Sequence, residues 1–144
     1  MKALIQNGKC QYTILVPKNG NAHIRFAAQE LAYAIEKSCG NSPSIVLDGE
    51  LAVGKTIQLG NTQQAKREKL KPHLSETGMD GFKILVRGEN VFIIAATSEG
   101  VIYGVYEFLN RTLGTKFFGY DEYVIPKHTD VNLPELDIDR KSVV

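Results

Sequence analysis

The chain has 144 residues, 43% of them hydrophobic and 23% charged, with a mean hydropathy of −0.15; this is the composition of one ordinary globular domain, which buries roughly 68% of its extended surface without a disulfide staple. Seventeen Lys+Arg against sixteen Asp+Glu leave a net charge of +1, scattered along the chain, so nothing draws it to nucleic acid or to an anionic membrane. The longest apolar run, Val91 to Ala96, is far short of the roughly 20 residues of a membrane helix, and no charged-then-apolar leader opens the sequence.

Gln11 to Val16 reads as a strand with Tyr12, Ile14 and Val16 on one face, stopped by Pro17 and Asn19-Gly20-Asn21. Asn21 is placed to cap a helix over Ala22 to Cys39, where Ile24, Ala27, Ala28, Leu31 and Ile35 recur at helical spacing and Gly40 offers a left-handed end. Ser44 to Leu47 and Thr56 to Leu59 read as short strands, and Gln63 to Leu70 as a polar surface helix. Gly81 to Arg87, a three-residue turn Gly88-Glu89-Asn90 and the doubly apolar run Val91 to Ala96 make a hairpin whose second strand belongs near the centre of a covered sheet.

Thr97 or Ser98 then caps a second helix with a buried stripe of Val101, Ile102, Val105, Phe108, Leu109 and Leu113, ending at Gly114. Gly100 and Gly104, one turn apart, predict a close approach of this helix to the sheet. A short strand through Lys116 to Phe118 follows. The order predicts an α/β (α+β) fold: a mixed, largely antiparallel sheet with two main helices packed on one face. Residues 1–10 read as an N-terminal extension, 11–126 as the domain, and 127–144 as a linker.

Gly49, four residues, then Gly54-Lys55-Thr56 satisfy the phosphate-binding loop pattern. Such a loop needs a helix starting at the lysine, whereas Thr56-Ile57-Gln58-Leu59 alternates like a strand, so the segment reads as a hairpin loop. His23, His73 and His128 are far apart, and Cys10 and Cys39 lack zinc-ligand spacing; no metal or cofactor is expected. Cys10 and Cys39 are left either as one disulfide or as two idle thiols. Glu99, Glu107, Asp121, Glu122, Asp137 and Asp139 supply carboxylates, but in no spacing that marks a glycosidase pair. Asn110-Arg111-Thr112 fits the glycosylation pattern inside a helix, where it reads as coincidence.

Seven of the twelve Phe and Tyr residues fall between Tyr103 and Tyr123. Phe117, Phe118, Tyr120 and Tyr123 are candidates either to dock a neighbouring domain or to stack sugar rings.

Phe26-Ala27-Ala28-Gln29-Glu30-Leu31, Ile57-Gln58-Leu59-Gly60, Asp80-Gly81-Phe82-Lys83-Ile84, Gly100-Val101-Ile102-Tyr103-Gly104-Val105-Tyr106-Glu107-Phe108-Leu109 with Leu113-Gly114, and behind them Phe117-Phe118 and Val124-Ile125-Pro126 carry a resemblance. Together, in this order, the chain resembles the N-terminal domain of family 67 alpha-glucuronidases and related large bacterial glycoside hydrolases. It is also similar to the domain preceding the barrel in family 20 beta-N-acetylhexosaminidases. The resemblance implies a non-catalytic accessory domain of a polysaccharide-degrading hydrolase, packed against a (β/α)8 catalytic barrel of the same polypeptide. Such a barrel takes ~250 residues and does not fit in this chain, so no catalytic residue carries over. The resemblance also implies a periplasmic or extracellular location and a piece cut from a longer secreted enzyme. The alternative is a free-standing carbohydrate-binding module.

Overall fold

The computed structural model describes residues 2–50, 54–117 and 122–141. In chain order these form β1 (Ala3–Gln6), β2 (Lys9–Cys10), β3 (Thr13–Val16), α1 (Ala22–Cys39), β4 (Ile45–Leu47), β5 (Thr56–Leu59), α2 (Gln63–Arg67) and α3 (Leu74–Thr77). They continue with β6 (Phe82–Arg87), β7 (Asn90–Ile94), α4 (Ser98–Leu113), β8 (Lys116–Phe117), β9 (Tyr123–Val124), β10 (Val131–Asn132) and β11 (Ile138–Arg140).

Both long helices begin and end where side-chain chemistry requires. The Asn21 side chain accepts from the Ile24 N–H and the Thr97 side chain from the Gly100 N–H, while Gly40 and Gly114 close the helices at φ 83° and 75°. Helix α1 buries Ile24, Ala27, Ala28, Leu31 and Ile35, and α4 buries Val101, Val105, Phe108, Leu109 and Leu113. These stripes pack on each other and on one face of a six-stranded sheet ordered β11-β6-β7-β5-β3-β4.

The sheet is mixed. Strands β4, β3, β5 and β7 run parallel, while at the other edge β6 pairs antiparallel with β7 and β11 pairs antiparallel with β6. Counting the small sheets β10-β1-β2 and β8-β9, five of the eight strand pairings among the described residues are antiparallel. The two main helices share one face, as the sequence predicts. Strand β7 is buried on both sides: Val91 and Ile93 meet the helices, and Phe92 and Ile94 meet Ala65 of α2.

Gly100 and Gly104 fulfil the expected close approach. A methyl group on Gly104 would lie 2.5 Å from the Ile93 Cγ2, and one on Gly100 would lie 2.5 Å from the Gly81 carbonyl oxygen.

Three sequence expectations change. The hairpin reading of Gly49 to Thr56 fails, because β4 and β5 flank β3 and both run parallel to it instead of pairing with each other. The β6–β7 turn is two residues, not three, since Arg87 already pairs with Asn90. The terminal segments, read as extension and linker, carry strands. Strand β1 pairs with β2 through an Asn7-Gly8 turn and with β10, and β11 extends the main sheet beside β6. Leu4, Ile5, Leu133, Leu136 and Ile138 are buried in the common core.

Candidate functional site

The phosphate-loop pattern is settled by its second half. Thr56 opens β5, all four of whose residues are buried, so no helix N-terminus follows Lys55. The Thr56 hydroxyl donates to the Asn90 side-chain oxygen at 2.7 Å, and Lys55 lies 5.8 Å over the Tyr12 ring. Gln58 completes a buried polar network, donating to Thr56 and Gln64 and accepting from the Thr62 hydroxyl. These groups are satisfied by one another.

Of the candidate carboxylates, Asp121 lies outside the described residues, and two others, Glu107 and Asp139, are engaged in ion pairs. Glu107 pairs with Arg111 at 3.1 Å and Arg140 at 3.5 Å, and Asp139 lies 3.9 Å from Lys83. Among the described residues no three His, Cys, Asp or Glu side chains group to hold a metal ion, and no helix is long and apolar enough to cross a membrane.

The aromatic residues do converge. The Phe117 ring lies 5.6 Å from Tyr123 and 4.3 Å from Tyr106, and Tyr123 meets Tyr33 edge-on at 5.9 Å. Phe118 and Tyr120, the other two candidates, lie outside the described residues. The chain of rings thus runs from α4 through β8 and β9 to α1, and the Tyr106 hydroxyl closes it by donating to the Glu30 carboxylate at 3.1 Å.

Tyr33 and Tyr106 were not among the candidates, although a signal existed. Phe26, Glu30, Tyr33 and Lys37 recur at helical spacing on the side of α1 opposite its apolar stripe, where polar residues alone would suffice. Phe26 and Tyr103, each in the second turn of its helix, stand 45% and 48% exposed. Beside the rings lies an open groove of about 600 Å³ lined by Tyr103, Tyr106, Phe117, Glu107, Lys116 and Thr115. The Thr115 hydroxyl is buried there without a hydrogen-bond partner.

Burial, and after it the neighbouring Glu30 carboxylate, push the Tyr106 phenol up to about 12 from its ordinary 10. The folded state therefore holds this proton more tightly than the unfolded chain. Its contribution to stability is whole below pH 10 and is lost as pH rises from there through about 12. Tyr106→Phe should flatten this alkaline limb, read from denaturation midpoints along a pH series; an unchanged limb would refute the assignment.

Residues 3–108 match the sequence model of the glycosyl hydrolase family 67 N-terminus. The chain belongs to this family. The family 67 N-terminal domain is 26% identical over 132 residues to a probable alpha-glucuronidase A of Neosartorya fischeri and 24% identical to one of Aspergillus fumigatus. In each case the alignment covers 87% of this chain and 15% of the relative, so the chain spans about a seventh of the length of the relatives it matches.

Among solved structures the domain superposes on a family GH115 4-O-methyl-alpha-glucuronidase with a TM-score of 0.54 at 14% identity, covering 74% of this chain and 14% of that one. It superposes on the GH20 beta-N-acetylhexosaminidase of Streptomyces coelicolor A3(2) with a TM-score of 0.51 at 19% identity, covering 77% and 18%. These likenesses are of fold.

Proposed function

We propose that this family 67 N-terminal domain is a non-catalytic accessory unit of a carbohydrate-degrading hydrolase. Its aromatic face docks on the catalytic domain of the same polypeptide. The observation that carries this reading is the ring chain Tyr33–Tyr123–Phe117–Tyr106, flanked by the exposed Phe26 and Tyr103. Large apolar groups gathered on one side of two helices are what an interdomain contact requires. The alpha-glucuronidases to which the chain is similar extend far beyond the aligned segment, which supports an occupant in the same polypeptide.

A second reading has an observation of its own. The groove beside Phe117 joins ring faces to the polar side chains of Glu107 and Lys116, a pairing that suits a sugar ring.

The 144-residue chain should release no product from aryl glucuronides or aryl N-acetylglucosaminides, and titration calorimetry with glucuronoxylan should give no saturable heat. Turnover would overturn the accessory reading. Saturable heat that disappears in Phe117→Ala would favour the carbohydrate module instead. As a positive mark of docking, Phe26→Ser combined with Tyr103→Ser should reduce apolar-dye binding and self-association while changing stability by at most about 1 kcal/mol, about 0.5 for each exposed site.

A further inference from the structure

The β1–β2 hairpin lies over the carboxyl end of α1. A methyl group on Gly8 would stand 3.8 Å from the Cys39 carbonyl oxygen, and the Cys10 N–H donates to the Asn41 side-chain oxygen at 2.9 Å. The Cys39 thiol donates to the Asn41 carbonyl and the Cys10 thiol to the Tyr12 carbonyl, each at 3.5 Å. Both cysteines are therefore anchored on Asn41, one through its backbone and one through its thiol. Both are free and half-buried, and both pack against the same core.

Cys39 also acts on the Cys10 thiol. Burial raises the Cys10 thiol to about 11, and charge on Cys39 adds to the rise. Access differs between them, since Cys39 lines an open depression of about 380 Å³ with Ser38, Lys127 and His128.

We infer that Cys10 and Cys39 are an oxidisable dithiol whose disulfide staples the β1–β2 hairpin to the carboxyl end of α1, with a small-molecule disulfide as the oxidant. The Cys39 thiolate attacks one sulfur of the oxidant. The oxidant's S–S bond breaks, one thiolate leaves with the bonding pair and takes up a proton, and Cys39 is held as a mixed disulfide. The Cys10 thiolate then attacks the Cys39 sulfur and expels the second thiol. The protein has lost two electrons and two protons, and the oxidant has gained both. Because burial makes the Cys10 thiol hold its proton, closure quickens as pH rises toward the pKa of that thiol.

The test uses the 144-residue chain and oxidised glutathione at mildly alkaline pH. Expected are an intact mass lower by two hydrogens, loss of both thiols to maleimide labelling, a monomer on sizing, and a melting temperature higher by roughly 5–15 °C. Added reductant should reverse all four. Cys10→Ser should stop at the glutathione adduct on Cys39. The inference is overturned if the unmutated chain stops at adducts, forms disulfide-linked dimers, or keeps both thiols reactive.

Discussion

Phe108→Ala is expected to lower stability by about 3–5 kcal/mol, read as an earlier denaturation midpoint at unchanged slope. Phe108 is fully buried in α4, in the core where α4 packs on α1, β6 and β7. Its neighbours along the stripe, Val105 and Leu109, are at most 1% exposed, and Ile93 beneath the helix is fully buried. Close-packed groups of this kind collapse poorly into a vacated ring volume, so the lost transfer free energy is compounded by a cavity. Alanine's better helix propensity returns only about 0.5 kcal/mol. Phe26→Ala, at a site 45% exposed on α1, is the matched control and should cost well under half as much. A loss below 1 kcal/mol at Phe108 would contradict this account of the core.

Gly81→Ala should be nearly as damaging, at about 3 kcal/mol. Three elements meet at this glycine. A methyl group there would lie 2.3 Å from the Thr77 carbonyl oxygen at the end of α3 and 2.5 Å from that of Arg140 in β11. The Gly81 carbonyl oxygen itself is the atom that a methyl on Gly100 would strike at 2.5 Å. Carbonyls cannot swing aside as a flexible side-chain end can, so relief requires moving a strand or a helix. Gly100→Ala should also destabilise, despite about 1 kcal/mol of improved helix propensity. Gly104→Ala should cost less, because the obstructing atom is a methyl of Ile93. Amide exchange would localise the damage at Gly81 to β11 and the first turn of α4; uniform exchange across the domain would argue against a local clash.

The parts of the fold legible in sequence are those with long periodic signals and terminal caps. Helices α1 and α4 combine apolar stripes with Asn or Thr at one end and Gly at the other, and the doubly apolar β7 announces its central place. The overlooked elements are short. Strands β10 and β11 have two and three residues amid prolines and acids, too few to display alternation. The Asn7-Gly8 turn was a readable signal: both residues have positive φ, 52° and 75°, as a two-residue hairpin of its type demands. The aromatic site was half legible. Clustering in sequence points to Phe117 and Tyr123, but Tyr33 joins them only because α1 and α4 lie side by side.

The antiparallel pairing of β11 with β6 bears on how the domain comes into being. On a ribosome, β6 emerges more than fifty positions before its outer partner, so the sheet waits with an open edge while α4 and the aromatic strands are still being made. Contacts between such distant stretches close late and slowly. Until Ile138 is released, β6 shows its outer side to any strand that could pair there wrongly, so during synthesis the correct partner competes with every earlier edge.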